Sequence, residues 1–434
     1  MTEHPFVSVE VETRRAGPST SLGKNGVGVI SRRSMLGGAV ARGLGAGSAA
    51  ARILPAAMTP LIGRGYRPVD PDEKGLWQQC ERVEEEVAGS NILVADAAVT
   101  GYLRSLIGKV GGPAASDMRI YLARVPDFNA MMFPTGFAIV FSGLLLRMRN
   151  EAQLAGVIAH ESGHFLRKHQ LRQYRDVKKK SDIFAAASLL GGMAGGAAGM
   201  NLGQLQQLAE LGTIMSLFRY NRELEAEADA MGIRLLADAG YSPLAMPQTW
   251  EQLIAESSLS AKYRRKRRDR GYSMFETHPA PESRMADLRL SAAEVTVPGR
   301  SYDDGRARYI ATIAGFRPML LDDQVKLNDP GASLYIVQTL AQDGWSGPLR
   351  FAEAEIWRLR GDPKQRDSER AAQGYAAAVQ MPDAPPDAWR WHGVMLQKAG
   401  RTAEARSAYT RYLALAPTAP DAPFVRQQLI VMGG

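Results

Sequence analysis

Apolar residues fall at helical spacing through residues 72–110, at Leu76, Val83 and Val87 and then at Ile92, Val94, Tyr102 and Leu106, predicting helices that open the first folded region. Two short runs rich in branched and aromatic residues, 118–123 and 137–141, are separated by Pro126, Asn129, Pro134 and Gly136 and predict strands of a small sheet. From 150 to 169 the period turns helical again, with Leu154, Val157, Ile158 and Phe165 on one face. A further helix is expected from about 205 to 239, broken by Gly240 and ended before Pro243. The pattern is that of a mostly helical α+β fold.

One tract departs from amphipathic spacing. Residues 183–203 (IFAAASLLGGMAGGAAGMNLG) are apolar over about a bilayer's length, but Ala and Gly dominate, so insertion would be marginal. The preferred reading is a pair of packed or mobile helices near the active site; a transmembrane span is the alternative.

Composition narrows the picture. A chain of 434 residues with 45% hydrophobic content can bury a core in each of two domains. Cys80 is the only cysteine, which excludes an intramolecular disulfide and a cysteine-based zinc cluster. Half of the net charge of +8 lies in residues 1–57, leaving a body too balanced to favour nucleic acid. The densest basic run, 262–270 (KYRRKRRDR), reads as a solvated face. Residues 31–36 (SRRSML), followed by a weakly apolar Gly/Ala stretch through residue 51, look like a twin-arginine export signal cleaved near Ala51 or Ala57; a disordered basic tail is the alternative. Arg42 and Arg52 make the stretch too polar for a stable membrane anchor, so membrane contact is at most peripheral and the mature protein is expected in the periplasm.

The chemistry is concentrated at residues 160–164, His-Glu-Ser-Gly-His. On a helix this spacing puts His160 and His164 one turn apart, able to share a zinc ion, with Glu161 beside them to take a proton from water. A catalytic zinc needs a third protein ligand, and residues 222–229 (RELEAEAD) offer carboxylates about sixty residues later. Glu225 and Asp229 are one turn apart, so the first can ligate zinc while the second orients a ligating histidine; Glu223 and Glu227 read as a solvated face.

The HESGH helix, the ELEAEAD helix and the later segment 277–284 (THPAPESR) together resemble the HtpX-related gluzincin peptidases, over roughly residues 75–295. The resemblance implies a zinc-dependent endopeptidase with one Zn²⁺ per chain, Glu225 as third ligand, and places for His278 and Arg284 in a regulatory or oxyanion role. Of the six histidines, His4 lies in the N-terminal tail, His392 in the C-terminal region, and His169 off the His160/His164 face, which leaves His278 as the further candidate. By resemblance His278 either closes the open zinc position and holds the enzyme latent or stabilises the oxyanion; a structural role stands beside both. Residues 129–143 resemble the family's edge strand, which would bind an extended substrate by strand addition.

Residues 331–434 contain a tetratricopeptide-like unit, with Trp389, Gly393, Leu396, Ala405, Tyr409 and Pro417 near the pattern of a 34-residue helix-turn-helix. A fainter unit upstream places Gly361, Tyr375 and Pro382 at 39, 34 and 35 residues before Gly400, Tyr409 and Pro417, with an insertion near 363–369. A plain helical cap is the alternative. The expected organisation is a tail and signal at 1–57, a linker at 58–72, a zinc metallopeptidase domain at 73–295, a connecting segment at 296–330 and an all-α repeat domain at 331–434. The leading function is hydrolysis of protein substrates in the periplasm, with the repeats recruiting substrates or an assembly machine. The resemblance adds quality control of outer-membrane proteins. Two competing readings are a chaperone-like factor whose zinc site is largely latent, and an integral-membrane peptidase using 183–203 as its span.

Overall fold

The computed structural model describes residues 61–179, 219–263, 278 and 282–433; the export-signal region, the 183–203 tract and most of the 262–270 run lie outside them. Helix α1 (Pro71–Ala88) starts where the Asp70 side chain accepts a hydrogen bond from the Glu73 backbone N–H, and it buries Leu76, Cys80 and Val87. Helix α2 (Ala97–Val110) is capped in the same way by Asp96 and buries Val99, Leu103, Leu106 and Val110 at helical spacing. A three-stranded sheet follows, in the order β1 (Arg119–Ala123), β3 (Phe137–Phe141), β2 (Ala130–Met132). β1 runs parallel to β3 and β2 antiparallel to it, with Met131 opposite Ile139.

β3 is therefore the central strand, and the edge facing away from β1 belongs to β2, a three-residue strand inside the 129–143 segment that the resemblance marks as an edge. Every residue of β3 is buried because its two faces serve two cores. Phe137, Ile139 and Phe141 pack with Leu76, Cys80 and Val87 of α1, whereas Ala138 and Val140 join the larger core under α2.

After α3 (Ser142–Arg147), helix α4 (Glu151–Leu166) is capped by Asn150 and buried along all 16 residues. The helix expected to continue to 169 stops here. Lys168 adopts a left-handed backbone (φ 52°), and α5 (His169–Lys179) restarts in a new direction. Helix α6 (Arg222–Asp238) begins at Asn221, whose side chain accepts from the N–H groups of Glu223 and Leu224, so the expected 205–239 helix is not continuous. Next come α7 (Ala245–Tyr263) and α8 (Glu282–Val295).

The larger core does not end with α8. It runs from Ile62 to Ile356 and includes α9 (Arg306–Ile313), α10 (Arg317–Lys326), α11 (Pro330–Leu340) and α12 (Gly347–Arg360). Buried Arg147 fixes this join, donating to both oxygens of Glu256 on α7 and to Gln324 on α10. Beyond α12, α13 (Asp367–Ala378), α14 (Pro386–Lys398), α15 (Thr402–Leu415) and α16 (Ala422–Val431) form helical hairpins with smaller cores of their own. Among the described residues no helix is long and apolar enough to cross a membrane.

The contact that positions the chemistry is the crossing of α4 over α6. A Cβ on Gly232 would lie 2.9 Å from the backbone nitrogen of His160, and one on Gly163 would lie 3.0 Å from the Ala228 carbonyl oxygen. At Gly232 the facing backbone would have to shift, and at Gly163 it would have to give by a few tenths of an ångström. Gly232→Ala is expected to force the two helices apart at a cost of ~1–3 kcal/mol, read as a lower denaturation midpoint; an unchanged midpoint would mean that the crossing tolerates more separation than this geometry allows.

Candidate metal centre

At the crossing, α4 supplies His160, Glu161 and His164, α6 supplies Glu225 and Asp229, and His278 enters from the segment before α8. His160, His164, Glu225 and His278 are all buried, and one donor atom from each lies within 4.8 Å of the others. The Nε2 atoms of His160 and His164 are 3.0 Å apart. Glu225 Oε1 stands 3.5 Å from His164 Nε2, and Glu225 Oε2 stands 3.6 Å from His160 Nε2. Two imidazoles and a carboxylate converging on one buried point form the donor set that zinc takes, so these residues fit the ion.

Each partner's charge is set by the others. Burial alone would raise Glu225, but His278 and, beyond it, His160 and Arg284 outweigh burial and keep its carboxyl below the ordinary range. Asp229 is buried too, yet the Arg284 guanidinium and His160 hold it well below the usual carboxylate range. Asp229 Oδ1 lies 2.9 Å from His160 Nδ1. Arg284 sits behind both acids, donating through Nε and Nη2 to Asp229 (2.7 and 2.8 Å) and placing Nη1 2.7 Å from Glu225 Oε2.

Glu161 is raised, chiefly by burial, with His278 and His160 opposing. Its Oε2 accepts from the Met132 N–H at 3.1 Å, and its Oε1 faces His278 Nε2 at 3.4 Å. Because Asn129 and Phe133 bond inward to β3, Met132 points its backbone groups outward along the free edge of β2. Both are taken, the carbonyl accepting from Gln170 at 2.8 Å. His278 Nδ1 is 2.8 Å from Glu225 Oε1, and the two carboxylates lift its basicity against the effect of burial.

The model for peptidase family M48 matches residues 95–292, a span that holds every residue just named. Residues 95–292 are a peptidase family M48 domain. The chain is 32% identical over 216 residues to the beta-barrel assembly-enhancing protease of Escherichia coli and 32% identical over 173 residues to metalloprotease YcaL of the same organism. These alignments cover 48% and 40% of the chain, and 42% and 61% of the relatives. The mitochondrial metalloendopeptidase OMA1 of Schizosaccharomyces pombe is 25% identical over 236 residues, covering 53% of the chain and 64% of the relative. The chain thus spans less than two thirds of each. Peptidases of family M48 are zinc metallopeptidases, and the buried set at the helix crossing could hold such an ion.

All seven residues singled out from the sequence meet in the M48 domain, and three further side chains join them. His169 Nδ1 lies 2.9 Å from His164 Nδ1, and Glu227 Oε2 lies 3.2 Å from His169 Nε2. The His169 contact, with help from Arg172, brings the Glu227 carboxyl down to about 2, while burial keeps His169 below the ordinary imidazole range. Tyr220 stacks on the His164 ring at 3.8 Å. A continuous helix would carry His169 off the His160/His164 face; the left-handed turn at Lys168 swings it back. The remaining signal in the sequence was a third histidine close behind the HExxH motif.

His160→Ala and Glu225→Ala are each expected to reduce the zinc content of the purified protein from about one ion per chain to a small fraction of that, measured by mass spectrometry. Full occupancy in Glu225→Ala would remove Glu225 from the ligand set.

Proposed function

We propose that this chain is a zinc-dependent endopeptidase acting on protein substrates, with His160, His164 and Glu225 as metal ligands and Glu161 as general base. The observation that carries it is the buried convergence of those three donors with the Glu161 carboxylate beside them. Zinc held there would supply Lewis-acid polarisation of a peptide carbonyl and acidify water. Glu161, raised by burial with His278 and His160 opposing, takes the proton from water at a carboxylate oxygen and returns it to the departing amine nitrogen. Asp229 orients His160 from the far side of its ring, and Arg284 clamps Asp229 and Glu225 together. With its nitrogens turned to those acids, Arg284 acts as a clamp rather than as the oxyanion donor considered from the sequence.

The periplasmic setting rests on the twin-arginine-like segment at 31–51, and a role in outer-membrane protein quality control rests on the resemblance of the sequence motifs, supported by likeness to a beta-barrel assembly-enhancing protease. The hairpin α14–α15 supports a tetratricopeptide-like unit: a Cβ on Gly393 would lie 2.7 Å from the Tyr409 ring, so the small and the aromatic residue of that repeat pattern occupy one contact. Such hairpins would recruit protein substrates or assembly machinery.

A second reading, a chaperone or assembly factor with a latent zinc site, is favoured by His278. Its ring nitrogens face Glu225 and Glu161 from within the donor cluster, where a substrate or water would have to enter. Glu161→Gln separates the two. The variant is expected to keep its zinc and lose cleavage of an unfolded protein substrate by roughly 10²–10⁴-fold. Cleavage at the wild-type rate would sink the endopeptidase assignment, and a cellular role that survives the substitution would favour the chaperone.

A further inference from the structure

Each of the two imidazoles that would hold zinc must present an Nε2 lone pair to it, and a neutral imidazole can do so only if its proton sits on Nδ1. For His160 the reason is direct, since Asp229 Oδ1 lies 2.9 Å from Nδ1 and favours a proton there. Among the described residues no carboxylate stands at the corresponding place behind His164. What stands there is another imidazole, His169, with Nδ1 2.9 Å from His164 Nδ1. Two imidazole nitrogens at that distance need one donor and one acceptor, and the pair alone does not say which is which.

Glu227 decides it. Its Oε2 already accepts from the Arg172 guanidinium at 2.8 Å, so it meets His169 Nε2 at 3.2 Å as an acceptor, and the proton of the His169 ring sits on Nε2. His169 Nδ1 is then a lone pair, His164 Nδ1–H donates to it, and His164 Nε2 is left bare, pointing at His160 Nε2 and Glu225. Were the order reversed, an N–H would point into the metal position. Arg172 Nη1 holds Glu227 Oε2 at 2.8 Å and Arg167 Nε approaches Oε1 at 3.4 Å, which keep the carboxylate aimed, while Tyr220 stacked at 3.8 Å fixes the plane of the His164 ring.

We infer that Glu227 and His169 form a two-step relay that fixes the tautomer of His164 and so positions its Nε2 as a zinc ligand, the counterpart at a distance of what Asp229 does directly for His160. Both are positioning residues. The inference rests on the zinc-centre reading above and extends it to two side chains that lie outside the ligand set.

The test uses the whole mature chain with three readouts: zinc affinity by competition with a chelator, fold by circular dichroism, and ring ¹⁵N chemical shifts of the metal-free wild type. His169→Leu keeps bulk and removes the acceptor; it is expected to weaken zinc binding about 10–100-fold. His169→Asn, whose Oδ1 can stand where Nδ1 stands, is expected to stay within about threefold of wild type because one accepted hydrogen bond is preserved. The wild-type shifts are expected to show His164 protonated on Nδ1. Unchanged affinity in a folded His169→Leu would overturn the relay, as would an Asn variant as weak as the Leu variant or a His164 proton on Nε2. Should His169→Leu fail to fold, the Asn variant and the tautomer decide. A wild type that binds no zinc at all sinks the metal-centre reading itself, whereas tight wild-type binding with an indifferent His169 sinks only the relay.

Discussion

The structure turns on the close crossing of α4 and α6. At Gly163 and Gly232 the two backbones approach so closely that an added Cβ would crowd the facing chain, and that approach puts the acids of one helix against the histidines of the other. The result is a costly interior. Glu161, Glu225, Asp229, His160, His164, His278 and Arg284 are all buried, and burying a charge without a partner is expensive. No member of the group is stable alone. Arg284 offsets two carboxylates, the carboxylates offset His278, and Asp229 faces the back of His160. Taking away one partner leaves another buried and uncompensated, which is how such clusters become both rigid and sensitive.

The rest of the fold holds that crossing in place. Asn150 and Asn221 start the two helices at fixed points, so the ring of His160 and the carboxylate of Glu225 arrive at set heights along their axes. β3 carries Ala138 and Val140 into the core beneath α4, while β2 lays Met132 beside Glu161. Helices far along the chain belong to the same support. Glu256 and Gln324 close on Arg147, and Arg308 reaches Glu151 at the start of α4. The 306–356 helices thus share one hydrophobic core with the M48 domain instead of standing apart from it.

What the sequence revealed was local, and what it hid was not. His160, Glu161 and His164 lie within five residues, and Glu225 with Asp229 within another five, so helical spacing alone places each group on a face. Placing His169 required the backbone angle of Lys168, a single left-handed residue that no periodicity announces. Glu227 sits two positions from Glu225 and on a free helix would face solvent; it becomes part of the site because α5 lies across that side of α6. The three-residue β2 is too short and too close to proline to show alternation, yet pairing with β3 makes it the edge. The extent of the core was hidden for the same reason. Amphipathic spacing says that a helix has an apolar face and not which neighbour covers it.

One consequence concerns how a peptide would reach the chemistry. Strand addition needs the outward N–H and carbonyl of β2, and at Met132 these are held by Glu161 and Gln170. The Glu161 carboxylate proposed as general base thus has Oε2 engaged by Met132 and Oε1 facing His278 Nε2 at 3.4 Å. A substrate strand that took over the Met132 N–H would therefore release Glu161 Oε2 as it docked. Gln170 follows His169 directly in the chain, so the group that must yield on the carbonyl side is tied to the residue behind His164. On the endopeptidase reading, an extended chain docking at the edge would compete with Glu161 and Gln170 for the same backbone groups, which would couple its entry to a change at the base.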